Sequence, residues 1–183
     1  MPHSRSSTGQ KERSRQRAPL YTPEQRRIRD ASVWTLVQGL LAPIQFLVFL
    51  VSLWLVISYL RTGEGAEAAN ISVVIKTLTL YTIMITGAIW EKVVFGRFLF
   101  APAFYWEDVF SMLVLALHTA YLAALFTGAL STTGLMWLAL AAYATYIINA
   151  GQFIWKLRMA RLDYARSMEQ NFAASSNIAG AAR

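Results

Sequence analysis

The sequence predicts an all-α, polytopic membrane protein built as a four-transmembrane-helix bundle. Three observations carry that expectation. Four apolar runs are each long enough to cross a bilayer, 56% of the 183 residues are apolar against 15% charged, and Lys and Arg gather at the ends of the apolar runs. The expected organisation is a disordered basic tail over residues 1–20, one membrane domain over 21–162, and a C-terminal cytoplasmic tail over 163–183.

After a Ser-, Arg- and Gln-rich start, Thr22-Pro23-Glu24 reads as a helix N-cap followed by Pro at the first helical position and an acid in the first turn. The helix it opens carries Arg26, Arg27 and Arg29 along the membrane surface. The spans follow at about 33–60, 70–95, 106–130 and 134–155. The first exceeds what a hydrocarbon core of roughly 30 Å requires, so it has room to tilt, and Pro43 predicts a kink where neighbouring groups satisfy the freed carbonyl. The connection Arg61-Thr62-Gly63-Glu64-Gly65 is acidic on balance with the residues after it, the second connection carries Lys92 and Arg97, and the third, Ser131 to Gly134, has no charge. Beyond the fourth span come Lys156, Arg158, Arg161 and Arg166. By the positive-inside rule both termini and the second connection face the cytoplasm. The last stretch, from Asn171, is Ala, Ser and Gly with little to pack, and is expected to be disordered.

Composition also excludes function classes. There is no Cys, which removes disulfide scaffolds, thiolate catalysis, iron–sulfur clusters and Cys-based zinc sites. The two histidines, His3 in the tail and His118, cannot make a multi-His metal site. The net charge of +7 follows the membrane boundaries rather than one basic face, so nucleic acid is not an expected partner; the lipid bilayer is.

An ionised side chain near the centre of a membrane helix costs roughly 2.5–3.5 kcal/mol, so polar residues inside the spans are site candidates. Each span carries them on one face: Thr35, Gln38, Gln45 and Ser52; Thr77, Tyr81, Met84 and Glu91; Glu107, Ser111 and His118; Thr145, Asn149, Gln152 and Lys156. Ser52, Thr77 and Thr145 read as glue between helices. His118 lies near mid-bilayer, where an imidazole is a packed hydrogen-bonding residue, a proton-transfer group or an axial ligand to a metal carried by a ligand. Asp108 is ten residues away, about 15 Å along the same helix, too far for the contact of a Ser-His-Asp triad. Glu91 closes the second span while Glu107 and Asp108 open the third, so a short connection can bring carboxyl groups together, the arrangement that makes a proton donor near neutral pH. Lys76 reads as a residue that snorkels to the outer surface. The run Phe98, Phe100, Phe104, Tyr105 and Trp106 reads as an interfacial belt on which a flat ring would also stack. These residues alone leave open an enzyme, a cofactor-binding assembly protein and a small transporter.

The stretches Tyr21-Thr22-Pro23-Glu24-Gln25-Arg26-Arg27, Trp34-Thr35-Leu36-Val37-Gln38-Gly39, Trp90-Glu91-Lys92, Phe100-Ala101-Pro102-Ala103-Phe104, Trp106-Glu107-Asp108-Val109 and His118-Thr119-Ala120-Tyr121 resemble the 3-vinyl bacteriochlorophyllide hydratase family, from about Tyr21 to Arg161. The resemblance implies addition of water to the 3-vinyl group of chlorophyllide a or a bacteriochlorophyllide, giving the 3-(1-hydroxyethyl) product of bacteriochlorophyll biosynthesis in a bacterial inner or intracytoplasmic photosynthetic membrane. It supplies a reaction and no site. The candidates are Glu91, Glu107 and Asp108 for proton transfer and water activation, with His118, Tyr81, Tyr121, Asn149 and Gln152 lining the substrate pocket and His118 facing the substrate's magnesium. No cofactor beyond that substrate-borne metal is implied. A second copy of the chain and other pigment-pathway enzymes are the further partners considered. The competing reading is a non-catalytic (bacterio)chlorophyll-binding or photosystem assembly protein.

Overall fold

The computed structural model describes residues 20–181, so the tail expected over 1–20 lies, apart from Leu20, outside the described residues. Those residues form five helices and no strand: α1 (Pro23–Ala31), α2 (Val33–Thr62), α3 (Ala66–Phe95), α4 (Tyr105–Thr127) and α5 (Thr132–Ala181).

Helix boundaries follow from local chemistry. At the start of α1 the Thr22 hydroxyl accepts from the Gln25 N–H at 3.2 Å, and the Gln25 side chain accepts from the Thr22 N–H at 2.9 Å. This reciprocal capping box satisfies two donors that a helix start leaves orphaned. Ser32 then ends α1 and caps α2, its hydroxyl accepting from the Trp34 N–H at 3.2 Å. α2 continues through Pro43 over 30 residues. Gly63, Gly96 and Gly128 take positive φ at the ends of α2, α3 and α4, a conformation that closes a helix without a Cβ clash. Gly128 therefore stops α4 at Thr127, short of the expected 130.

The helix that carries the fourth span does not end near residue 155. α5 runs 50 residues, about 75 Å, through the segment read from composition as a tail. Residues 156–181 contain no Pro and are rich in Ala, Arg, Leu and Met, which favour helix even where nothing packs on them. α1 lends one anchor, with the Arg26 guanidinium 3.7 Å from the centre of the Tyr164 ring.

α2 packs along α3 and α4 along α5, giving two antiparallel hairpins joined by a less extensive seam. Phe49 of α2 bridges them, 5.4 Å from Tyr143 and 5.0 Å from Tyr146 of α5. Small and branched residues line the interior, among them Val56, Ala69, Val73, Val114 and Ala139, while Leu36, Trp54, Phe126 and Trp137 face outward. Large apolar side chains on the outside of four helices of this length mark a membrane protein, because lipid is as apolar as the core. A second apolar cluster, Tyr21, Val94 and Phe104, sits where α1, the end of α3 and the α3–α4 connection meet.

Candidate active site

Two helix ends and the turn between them build the first polar centre. Glu91 lies in the next-to-last turn of α3, and Glu107 and Asp108 in the first turn of α4, where the positive end of the helix dipole favours acids. The connection passes through Phe100 at φ +58°, a left-handed conformation rare for a bulky residue. There two consecutive backbone amides turn onto the carboxyl groups: the Phe100 N–H donates to Asp108 Oδ2 at 2.7 Å, and the Ala101 N–H to Glu91 Oε2 at 3.3 Å. Glu91 and Asp108 are 5% and 3% exposed, and the amides that hold them belong to adjacent residues, which gathers the two carboxyl groups at one turn. Carboxyl groups gathered in this way, away from water, are an arrangement suited to sharing a proton.

Glu107 follows a different path. One residue on, it points about 100° away around α4. Its Oε2 accepts from the Lys156 ammonium of α5 at 2.5 Å, and that ammonium also sits 4.9 Å from the Phe104 ring. Glu107 thus joins α4 to α5, and the carboxyl group held beside Asp108 at the α3–α4 turn is Glu91.

Aromatic rings wall this centre. Phe104, 2% exposed, lies 5.7 Å from Trp90, 5.8 Å from both Phe95 and Phe153, and 6.4 Å from Tyr21. The Trp90 indole donates to the Thr35 hydroxyl at 2.9 Å, which donates to the Arg29 carbonyl at 2.6 Å, so the α1–α2 junction is fastened to the turn of α3 that carries Glu91. Burial of Tyr21 pushes its phenol above the usual range despite the Arg29 guanidinium lying 4.6 Å from the ring centre. Beyond the wall Phe98, Phe100, Tyr105 and Trp106 expose their rings, with Phe100–Tyr105 and Tyr105–Trp106 contacts of 5.7 and 5.6 Å.

A second polar layer crosses the middle of the bundle. His118 is fully buried, with Nδ1 2.8 Å from the Val114 carbonyl. A carbonyl only accepts, so Nδ1 carries the hydrogen and Nε2 keeps a bare lone pair, which has no protein partner. Lys76 does not snorkel. It faces the bundle interior, fully buried, its ammonium 3.9 Å from the Tyr146 ring centre and without a hydrogen-bond acceptor. Depth along the span suggested a route to the surface; the face of the helix forbids it, because Lys76 belongs to the buried row Ala69, Val73, Lys76 and Leu80.

The other candidate residues are spread between the two centres. Asn149 donates to the Ser111 hydroxyl at 2.8 Å, while its Oδ1 and the Oε1 of Gln152 are buried without a protein partner. Tyr81 pairs with Thr119 at 2.8 Å, and Tyr121 donates to Asn70 at 2.7 Å, each linking α3 to α4. Of the residues read as glue, Ser52 bonds Ser72 and Tyr143 at 2.7 and 2.5 Å, while Thr77 and Thr145 bond back to carbonyls of their own helices.

The pattern of 2-vinyl bacteriochlorophyllide hydratases matches residues 21–159, which include both polar centres. The chain belongs to this family. A 2-vinyl bacteriochlorophyllide hydratase of Cereibacter sphaeroides is 73% identical over 145 residues, 79% of this chain and 89% of its own. One of Rhodobacter capsulatus is 70% identical over 149 residues, 81% of this chain and 86% of its own. No solved structure matches the chain. The 2-vinyl of these names and the 3-vinyl used above are one substituent in two ring-numbering conventions.

Within this family's fold, sequence reasoning missed Lys76 as an interior residue and missed Phe100 and Ala101 as backbone donors. The buried row on α3 was a signal for Lys76. Nothing in the residue types marks Phe100, because its contribution is a backbone conformation.

Proposed function

We propose that this protein is a hydro-lyase that adds water across the vinyl group of chlorophyllide a or a bacteriochlorophyllide, with Glu91 and Asp108 handling the protons. The observation that carries the proposal is the carboxyl pair itself, buried behind an aromatic wall and fixed by two consecutive backbone amides.

The chemistry follows from the vinyl group. A proton from the pair goes to the terminal vinyl carbon, leaving positive charge on the carbon next to the conjugated ring, where delocalisation and the newly anionic pair stabilise it. Water adds to that carbon and returns its extra proton to the pair. One water is consumed, the acid is regenerated and no electron is transferred, so the balance calls for no redox cofactor. Magnesium enters as part of the substrate, and the bare Nε2 of His118 is the donor suited to its axial position. His118 lies about 15 Å of helix rise from Asp108, a separation that suits a large flat ring held at its metal and reacting at its edge.

The basic residues of α1, with Lys92, Arg97, Lys156 and Arg158, gather at the end of the bundle that holds the carboxyl pair. By the positive-inside rule that end faces the cytoplasm of a bacterial inner or photosynthetic membrane, as do both termini.

The test is incubation of the purified full chain with chlorophyllide a in ¹⁸O-labelled water, without additions. The expected product is heavier by one labelled water, and its absorption shifts as the vinyl conjugation is lost. Pigment bound and recovered unchanged would contradict the proposal and favour a pigment-binding protein.

A further inference from the structure

Lys76 is the least explained group in the molecule. A buried ammonium is normally retained only where an anion or a set of acceptors faces it. Here none does: the ion pairs among the described residues are Arg29–Asp30, Lys156–Glu107 and Arg166–Asp163. Glu91, on the same helix, is fifteen residues away, about 22 Å of rise, and is not its counter-ion. Among the described residues the ammonium rests on the face of Tyr146, and a methionine would fill that space without a charge.

Other buried polar groups share the deficit. His118, close enough to Lys76 to feel its charge, leaves Nε2 bare, and Gln45 of α2, 3% exposed, leaves Oε1 without a hydrogen-bond partner. Lys76 and His118 stand on α3 and α4, on opposite sides of the seam between the hairpins, and Glu91 and Asp108 flank that same seam nearer its end. A ligand lodged in the seam and reacting at the carboxyl pair therefore extends toward the ammonium.

We propose that Lys76 binds the free carboxylate of the substrate across the α3–α4 seam and so selects the unesterified macrocycle. This rests on the reading of the substrate given above. A chlorophyllide differs from the corresponding esterified pigment in keeping its propionate side chain as an acid. That carboxylate supplies the negative charge Lys76 lacks, whereas an ester offers only a neutral carbonyl and leaves the ammonium buried and unpaired. The residue thus acts in recognition, and the carboxyl pair acts in the chemistry.

The experiment compares chlorophyllide a with its methyl ester, measuring equilibrium binding to the purified full chain by quenching of tryptophan fluorescence. The wild type is expected to bind the acid at least about tenfold more tightly than the ester, the size of one hydrogen-bonded charge contact. Lys76→Met is expected to lower affinity for the acid to that of the ester and leave the ester unaffected, while Lys76→Arg keeps a preference for the acid. Unliganded Lys76→Met should melt no lower than the wild type, since it removes a buried polar group that has no hydrogen-bond partner. Equal wild-type affinities for acid and ester, saturable binding of neither, or a preference that survives Lys76→Met would overturn the proposal. The wild-type comparison decides even where a variant fails to fold. Hydration of the acid by the wild type is scored separately, so a chain that prefers the acid and leaves it unhydrated defeats the catalytic reading and not this one.

Discussion

The carboxyl centre at the end of the bundle and the polar layer at its middle are both buried, yet their polar groups are in opposite states. At the end, each carboxyl group has a fixed donor: Phe100 and Ala101 supply backbone amides, and Lys156 supplies an ammonium. At the middle, the Lys76 ammonium, His118 Nε2 and Gln45 Oε1 have no hydrogen-bond partner among the described residues. A satisfied centre is preorganised, with its donors aimed before the substrate arrives. An unsatisfied layer retains binding capacity for a ligand to complete, since unmade hydrogen bonds in a dry interior are costly. On the proposed reading that difference divides the labour, with chemistry at the end and recognition at the middle.

Four substitutions sharpen that division, in order of expected effect. Glu91→Gln leaves a side chain that still accepts from Ala101 but holds no transferable proton, so hydration should fall about 100-fold or more with substrate affinity nearly unchanged. A loss confined to affinity would move Glu91 into the recognition class. His118→Ala should do the reverse, weakening chlorophyllide binding about tenfold or more while the bound fraction turns over within a few-fold of the wild-type rate; titration of pigment fluorescence beside single-turnover kinetics separates the two. Lys156→Met removes the partner of Glu107 and loosens the first turn of α4, and a rate loss of about fivefold is expected, together with a lower melting temperature. Thr22→Ala removes only the cap of α1, with a stability loss of about 1 kcal/mol and no change in turnover. A large rate effect there would mean that α1 belongs to the site.

Much of this was legible in the sequence because it depends on runs and ends. Four apolar stretches dictate four membrane helices, Thr22 with Pro23 announces α1, and the short link between Glu91 and Asp108 forces two helix ends together. Other features depend on direction, which a linear reading does not carry. Glu107 and Asp108 are neighbours of similar acidity, and the roughly 100° between them on α4 decides which meets Glu91 and which meets Lys156. The depth of Lys76 along its span points to the surface, whereas its helix face points to the interior. The end of α5 has little to bury, yet its helix-forming residues and the Arg26–Tyr164 contact keep it regular.

If Glu91 and Asp108 share the proton delivered to the vinyl group, infrared difference spectroscopy of the unliganded protein detects it. Exchange into D₂O should shift the C=O stretch of a protonated carboxyl group in the wild type and in Glu107→Gln. That band should vanish in both Glu91→Gln and Asp108→Asn. A wild type without a protonated carboxyl band, or a band that survives both substitutions, would contradict the account.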